Sequence, residues 1–413
     1  MATVKPFRGV RPTRDKVALV SSKSYEAYSP EALSAKLAFN PFTFLHVVNP
    51  GYKYHHEDIS GEQQFRLVYN RYLEFKEENV FIQENKPVFY VYQKIKPSGR
   101  SYCGIIASVA ASDYHNNHVK IHERTLKSRE VMFEHYLKNT GFNPEPVLLT
   151  YPDNQVIESI IKKYQKKRAE YEFSSMDRDK HLLWVIENES DLKEIESEFA
   201  QVETLYIADG HHRTTSSCLL AQHLSEQNPD DTGNEPYNYF MSFLLPSSQV
   251  SIYEFNRFIK TLNGLSADEF LMEVDTYFRI EEKGFRLYKP NEKHHFSMYL
   301  DGKFYELKLR ESVYKFTDAL SKLDSQILYK TILEPVLGIE DVRNDSKIVY
   351  SQNKSDGLEL KTKVDSGEFE VAFGMFPSTM TELTEIVDSG LVMPPKTTYI
   401  EPKMRSGMIM YEL

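Results

Sequence analysis

The sequence predicts a mixed α/β protein of the α+β kind, and three observations carry that prediction. Helical stretches alternate with short β-rich runs along the whole chain. Two β-rich runs, Val88 to Lys94 and Tyr102 to Ala110, flank Pro97-Ser98-Gly99-Arg100, which reads as a hairpin turn. The stretch Leu205 to Leu220 packs a strand, a tight turn and a helix start into adjacent residues.

In chain order, Val4 to Pro12 is apolar and basic between prolines and suits an extended segment. Asn40 to Val48 reads as a proline-started strand with His46 among apolar neighbours, where a satisfied histidine is expected rather than a ligand. Phe65, Val68, Tyr72 and Phe75 fall at helical spacing, so Glu62 to Glu78 is expected to be an amphipathic helix. Val119 to Thr125, with an alternating stretch around Glu123, leads into a charged helix near Ser128 to Lys138. Val147 to Tyr151 and His181 to Glu187 are expected strands; Gln155 to Tyr171 and Ser190 to Ala200 are expected helices. A domain boundary is placed near Pro246 to Gln249, giving domains 1–248 and 249–413. In the second, helices are expected at Ala267 to Tyr277, Leu323 to Val336 and Met380 to Ser389. Strands are expected at His295 to Leu300, Lys303 to Leu309 and Phe369 to Phe376. The basic, proline-interrupted tail from Met393 reads either as a loop over a cleft or as a plain extended end.

The chain has 413 residues, long enough for a sizeable core and more than one domain. Its net charge of −10 argues against a broad nucleic-acid footprint. Cys103 and Cys218 offer no disulfide framework and are expected as small core residues. No apolar run has the length of a membrane span and no signal peptide is visible, so a cytoplasmic location is expected.

The chemistry concentrates in Asp209-Gly210-His211-His212-Arg213, followed by Thr214, Thr215 and Ser216. The first turn of a helix has free N–H groups and the positive end of the dipole, which suit a phosphate. Asp209 can take a proton or hold a metal, Arg213 can fork onto phosphate oxygens, and the histidines titrate near neutral pH. A plain reading stands beside this: Asp-Gly is a common turn, and Asp209 can simply cap the helix. Glu123, in Ile121-His122-Glu123-Arg124-Thr125, is a second carboxylate candidate, equally read as a surface ion pair with Arg124 or Lys120. No Walker loop, G-x-G-x-x-G, His-Glu-x-x-His or Gly-x-Ser-x-Gly motif occurs. His55-His56 and His294-His295 read as surface pairs.

The chain resembles a widespread bacterial and archaeal family of unknown function. The resemblance runs through Lys5-Pro6-Phe7-Arg8-Gly9-Val10-Arg11-Pro12, Asn40 to Val47, His122-Glu123-Arg124-Thr125, Leu205 to Arg213, Leu333 to Ile339, Val364 to Gly367, Val392 to Lys396 and Glu401 to Gly407. The Asp-Gly-His-His-Arg box is also similar to the phosphate box of the ParB and sulfiredoxin superfamily, most closely that of its free-serine kinases. His211 stands where sulfiredoxin carries its nucleophilic cysteine, which puts thiol chemistry in doubt. Where many family members have Pro-Pro-Tyr-Asp-Val, this chain reads Ser21-Ser22-Lys23-Ser24-Tyr25-Glu26-Ala27, and a substrate contact there could differ.

The resemblance implies a ParB/sulfiredoxin-like N-terminal part with the phosphate site and a second mixed α/β domain. It implies a nucleotide-dependent phosphotransferase acting on a small hydroxylated metabolite, with free L-serine as the first guess. ATP, ADP or pyrophosphate would be the donor, with Mg²⁺ through Asp209 or Glu123. Asp209, His212 and Glu123 are the catalytic candidates. Gly210, His211, Arg213, Thr214 and Thr215 would bind phosphate, and Arg8 or Arg11 a substrate carboxylate. Two alternatives stay open: a phosphatase acting on phosphoserine or a similar ester, and a nucleotide-gated ParB-like regulatory or DNA-associated protein. The sequence leaves the oligomeric state open.

Overall fold

The computed structural model describes residues 1–49, 60–352 and 357–413. It divides into two compact units. The first comprises 1–121, 125–250 and 402–413; the second comprises 122–124 and 251–401. The C-terminal segment therefore returns to the first unit instead of staying in a domain running from 249 to 413.

The first unit is built on a mixed nine-stranded sheet. Its order is Val119–Lys120, Leu205–Asp209, Val147–Tyr151, Tyr239–Pro246, Ser101–Ala110, Phe89–Ile95, Lys180–Ile186 and Tyr171–Ser174, with Val4–Lys5 also paired to Ser101–Ala110. The hairpin forms as the turn residues predict, with Tyr90 opposite Ile106 and Ile95 opposite Ser101. Central strands such as Tyr239–Pro246 are buried along their whole length, which explains their continuous apolar sequence. One face packs on the helices Gln155–Gln165 and Glu189–Phe199 through Ile157, Ile160, Ile195 and Phe199. Asn154 and Asn188 cap these helices by accepting from first-turn N–H groups.

A smaller aromatic core sits under the helix Gly61–Glu77. Val68, Tyr72 and Phe75 are its buried face, as the spacing predicts. The Tyr72 ring stacks on Phe142 at 4.2 Å between centroids. Burial of each such side chain contributes about 1.5–3 kcal/mol. The C-terminal segment closes this core: Met410 pairs with Val10, and Tyr411–Glu412 pairs with Phe142–Asn143. Gly407 has φ 74°, and a Cβ there would lie 2.4 Å from Cγ of Phe44. Gly407→Ala should therefore cost about 3 kcal/mol, from an overpacked core and a left-handed backbone. A urea-denaturation midpoint unchanged from wild type would refute this.

Several elements differ from the sequence reading. Asn40 to Val48 is a turn followed by a short helix, Leu45–Val48. The Asn40 side chain accepts from the Phe42 N–H and starts the turn, and a short apolar run does not by itself separate strand from helix. His46 is buried with Nε2 3.0 Å from the Asn40 carbonyl. Only Val119–Lys120 of the segment 119–125 is strand. The helix from Gln155 ends at Gln165, and Tyr171–Ser174 is an edge strand. His55, His56 and the Glu26 side chain lie outside the described residues.

The second unit carries an antiparallel six-stranded sheet, ordered Phe278–Gly284, Lys303–Leu309, His295–Leu300, Val371–Met375, Phe255–Ile259 and Ile348–Gln352. Its core gathers Phe270, Val274, Phe278, Phe296, Ile327 and Ile332. Ser266 and Thr379 start two of its helices with capping boxes to Glu269 and Glu382. Leu323 to Val336 is not one α-helix: Asp324–Leu328 is α-helical, and Tyr329–Leu333 widens into a π-turn. Among the described residues no helix is long and apolar enough to cross a membrane.

Candidate phosphate site

Leu205–Asp209 is a buried strand between Val119–Lys120, parallel, and Val147–Tyr151, antiparallel. Leu205 and Ile207 are fully buried in the sheet core, and a bulge between Ile207 and Asp209 turns the strand end. Gly210 then adopts φ 97° and ψ 29° and leads into the helix His211–Gln227. With no side chain at Gly210, the first-turn N–H groups have no N-cap side chain to satisfy them. Small residues on the helix, including Thr214, Ser217, Cys218 and Ala221, are buried and allow close packing.

Gly210 is required for a second reason. A Cβ there would meet the Arg213 guanidinium at 3.1–3.3 Å, so the arginine folds back across the glycine. Arg213 Nη1 lies 2.7 Å from Glu145 Oε1 and donates to the Pro146 carbonyl at 3.0 Å. Its Nη2 is 3.4 Å from Asp209 Oδ2. The other Asp209 oxygen accepts from Lys403. Gly210→Ala should destabilise the protein by about 1–2 kcal/mol through the positive φ and displace Arg213. Unaltered denaturation and unaltered nucleotide binding together would contradict it.

The C-terminal segment holds this arrangement. Ser406 Oγ donates to Glu145 Oε2 at 2.6 Å, and the Gly407 N–H to the Pro144 carbonyl at 3.0 Å. Ser22 and Ser406 exchange backbone hydrogen bonds, and Arg405 Nη2 donates to the Ser21 carbonyl at 2.6 Å. Four segments distant in sequence (Ser21-Ser22, Pro144 to Pro146, Asp209 to Arg213 and Lys403 to Gly407) thus meet in one unit.

The box residues share one local element, but their side chains part. His211 and His212 are half-buried in the first turn. Thr214 is completely buried and its hydroxyl donates to the Gly210 carbonyl, so its expected role as a phosphate ligand is withdrawn. The Thr215 hydroxyl lies 3.3 Å from that of Tyr114, to one side of the helix. Glu123 belongs to the second unit, as does His122, whose carbonyl accepts from the Met393 N–H.

Arg11 is also corrected. It is buried, with Nε 2.6 Å from Glu84 and Nη1 3.0 Å from both Glu170 and the Tyr171 hydroxyl. Burial pulls its pKa down, but Tyr171 and Glu84 outweigh this and hold it above the ordinary arginine value. Its Nε and Nη1 are taken by protein groups and its side chain is 9% exposed. Arg8 is exposed and donates to the Glu84 carbonyl. Both cysteines are buried and free, and burial pushes the Cys103 thiol up to about 12 and raises that of Cys218. Neither is a nucleophile at neutral pH.

Sequence reasoning missed Glu145, Lys403 and Arg405 as members of the site. A carboxylate between two prolines and the basic tail were visible signals, but nothing local ties either to Asp209.

No curated protein matches the chain. Among solved structures, a C-terminally truncated SbnI from Staphylococcus aureus is similar at 11% identity and TM-score 0.38, over 72% of this chain and 82% of that one. A conserved hypothetical protein from Pyrococcus furiosus is similar at 16% identity and TM-score 0.35, over 73% and 94%. A free serine kinase in complex with AMP is similar at 15% identity and TM-score 0.33, over 73% and 91%. Residues 4–326 match the family described as protein of unknown function (DUF1015), and across that span the chain belongs to this family.

Proposed function

We propose that the first unit is a nucleotide-dependent phosphotransferase acting on a small hydroxylated metabolite, with free L-serine the first acceptor to test. The observation that carries this reading is the Arg213 guanidinium folded over Gly210 at a helix start without an N-cap side chain, beside Lys403 on Asp209. Phosphoryl transfer needs charge neutralisation and positioning more than covalent chemistry. The first-turn N–H groups, Arg213 and Lys403 supply positive charge and donors for phosphate oxygens. His211 and His212 add ring donors in the same turn. Asp209 accepts the proton of the acceptor hydroxyl as its oxygen bonds to phosphorus and the bond to the leaving nucleotide oxygen breaks.

Both Asp209 oxygens already hold cationic side chains, so the box alone does not form a resident Mg²⁺ site. Mg²⁺ bound to the nucleotide phosphates would add further charge neutralisation there. Glu123 stays in this reading as the second candidate for the base or for holding Mg²⁺.

The test is phosphoserine formation by the purified full chain with Mg²⁺ and ATP, ADP or pyrophosphate as donor. Absence of turnover and of nucleotide binding would refute the reading. Phosphate release from phosphoserine without nucleotide would replace it with a phosphatase. Salt-dependent DNA binding without turnover would replace it with a regulatory protein.

A further inference from the structure

A second set of charged groups gathers around the strands Phe89–Ile95 and Lys180–Ile186 of the first unit. Their register places Lys94 opposite His181, so both side chains leave the same face of the sheet. His181 is 1% exposed, with its ring between Phe173 and Tyr92 at 5.0 and 6.1 Å. Its Nδ1 is 2.8 Å from the Tyr92 hydroxyl. Its Nε2 is buried and has no hydrogen-bond partner among the described residues; the same holds for Ser175 Oγ and Ser22 Oγ. Buried polar atoms in folded proteins are nearly always satisfied, by protein, water or ligand.

Two cations, Arg405 and Lys94, bear on His181 itself, and two more, Lys23 and Lys36, gather beside Arg405 and Asp177. Lys94 Nζ lies 3.0 Å from Asp179 and donates to the Lys403 carbonyl at 3.3 Å. Arg405 donates to Ser21 through Nε and Nη2. Lys23 lies 2.9 Å from Asp177. Lys36 is the informative member: its ammonium donates to the Met176 thioether at 3.0 Å, a weak acceptor, and sits 5.7 Å from the Tyr28 ring. The charge of Arg405 is felt by Lys36, Asp177, Tyr92 and His181 alike. Burial first, and then Arg405, lowers the Lys36 pKa below its ordinary value.

Lys23, Lys36, Lys94 and Arg405 against Asp177 and Asp179 leave a local excess of two positive charges, in a chain whose net charge is −10. Lys36 shares the one carboxylate of Asp177 with Lys23, and its own ammonium donates to a thioether. An anion would offset the mutual repulsion of the cations and give the buried imidazole nitrogen a partner.

We propose that Lys23, Lys36, Lys94 and Arg405, with Nε2 of His181, form an anion site for the phosphate or carboxylate group of a small metabolite. It shares no side chain with the Asp209–Arg213 box. The segment Lys403 to Arg405 joins the two: Lys403 reaches Asp209 through its ammonium and Lys94 through its carbonyl.

The experiment is calorimetric titration of the full chain with inorganic phosphate and, separately, with malonate, at low ionic strength. An Arg213→Ala background removes the box contribution. The expected result is one binding event in that background, weakened at least tenfold by Lys36→Met. Among the described residues no carboxylate lies within ion-pair distance of Lys36, so that variant should fold normally. Arg405→Lys, which keeps the charge but loses the fork, provides the second variant and should also weaken binding. Binding of phosphate alone assigns the site to a phosphate group; binding of malonate alone assigns it to a carboxylate. No binding in the Arg213→Ala background, or affinity unchanged in both variants, would overturn the proposal.

Discussion

Arg213→Ala is expected to abolish the thermal stabilisation of the protein by nucleotide. A ligand that binds only the folded state at 100 times its Kd stabilises it by about 2.7 kcal/mol, a readily measured rise in Tm. Arg213 lies over Gly210 at a helix start without an N-cap side chain, its guanidinium held by Glu145, the Pro146 carbonyl and Asp209; nucleotide phosphate would compete for these contacts, and a guanidinium–phosphate contact is stronger than a neutral hydrogen bond. Its loss should weaken nucleotide binding on the order of 100-fold, equivalent to about 2.7 kcal/mol, and remove nearly all of the shift. The fold should tolerate the change. Glu145 keeps the Ser406 hydroxyl and Asp209 keeps Lys403, so neither carboxylate is stranded. Arg213→Lys separates charge from geometry: a point charge retains part of the affinity but not the fork. A thermal-shift series with ADP and ATP checks this, and a full nucleotide shift in Arg213→Ala would place the phosphates elsewhere.

The box was legible because its signals are local. An apolar run, an Asp-Gly turn and a helix start lie next to one another, and each has a physical cause that acts over a few residues. The helix Gly61–Glu77 and the hairpin were legible for the same reason. What surrounds the box was not. Lys403 lies 194 residues from Asp209 in sequence, and only the fold brings them together. The same holds for Arg11, whose partners Glu84 and Glu170 are 73 and 159 residues away. A fork looks identical in sequence whether ligand or protein fills it. Thr214 failed through helix phase: it follows Arg213 directly but turns inward, where its hydroxyl bonds the preceding turn. In the second unit Phe278–Gly284 escaped notice because an edge strand with charged outward positions looks like a loop. The class of fold, a mixed α/β sheet protein, needed only the element pattern; the sheet order needed contacts between distant residues.

The second large effect concerns acid stability. Burial, reinforced by the positive charges of Arg405 and Lys94, lowers the His181 pKa from 6.5 to about 3. Above pH 6.5 the imidazole is neutral in both folded and unfolded chains, and its environment imposes no penalty. As pH falls below 6.5, the unfolded chain takes up a proton that the folded site refuses, and stability falls. The loss grows until about pH 3, where both states are protonated, and its full extent is on the order of 4–5 kcal/mol. Between pH 6.5 and 4.5 the share due to this one group is about 2–3 kcal/mol. His181→Gln keeps a neutral hydrogen-bonding group beside Tyr92 but cannot titrate. The variant is expected to be less stable than wild type at pH 7.5, since its shape fits the Phe173–Tyr92 slot less well. It should lose stability more gently as the solution is acidified, so the two curves converge toward pH 4.5. Carboxylates elsewhere titrate equally in both proteins and cancel in the difference. Urea denaturation at pH 7.5, 6.0 and 4.5 measures it, and parallel curves would show that His181 does not carry this share of the acid sensitivity.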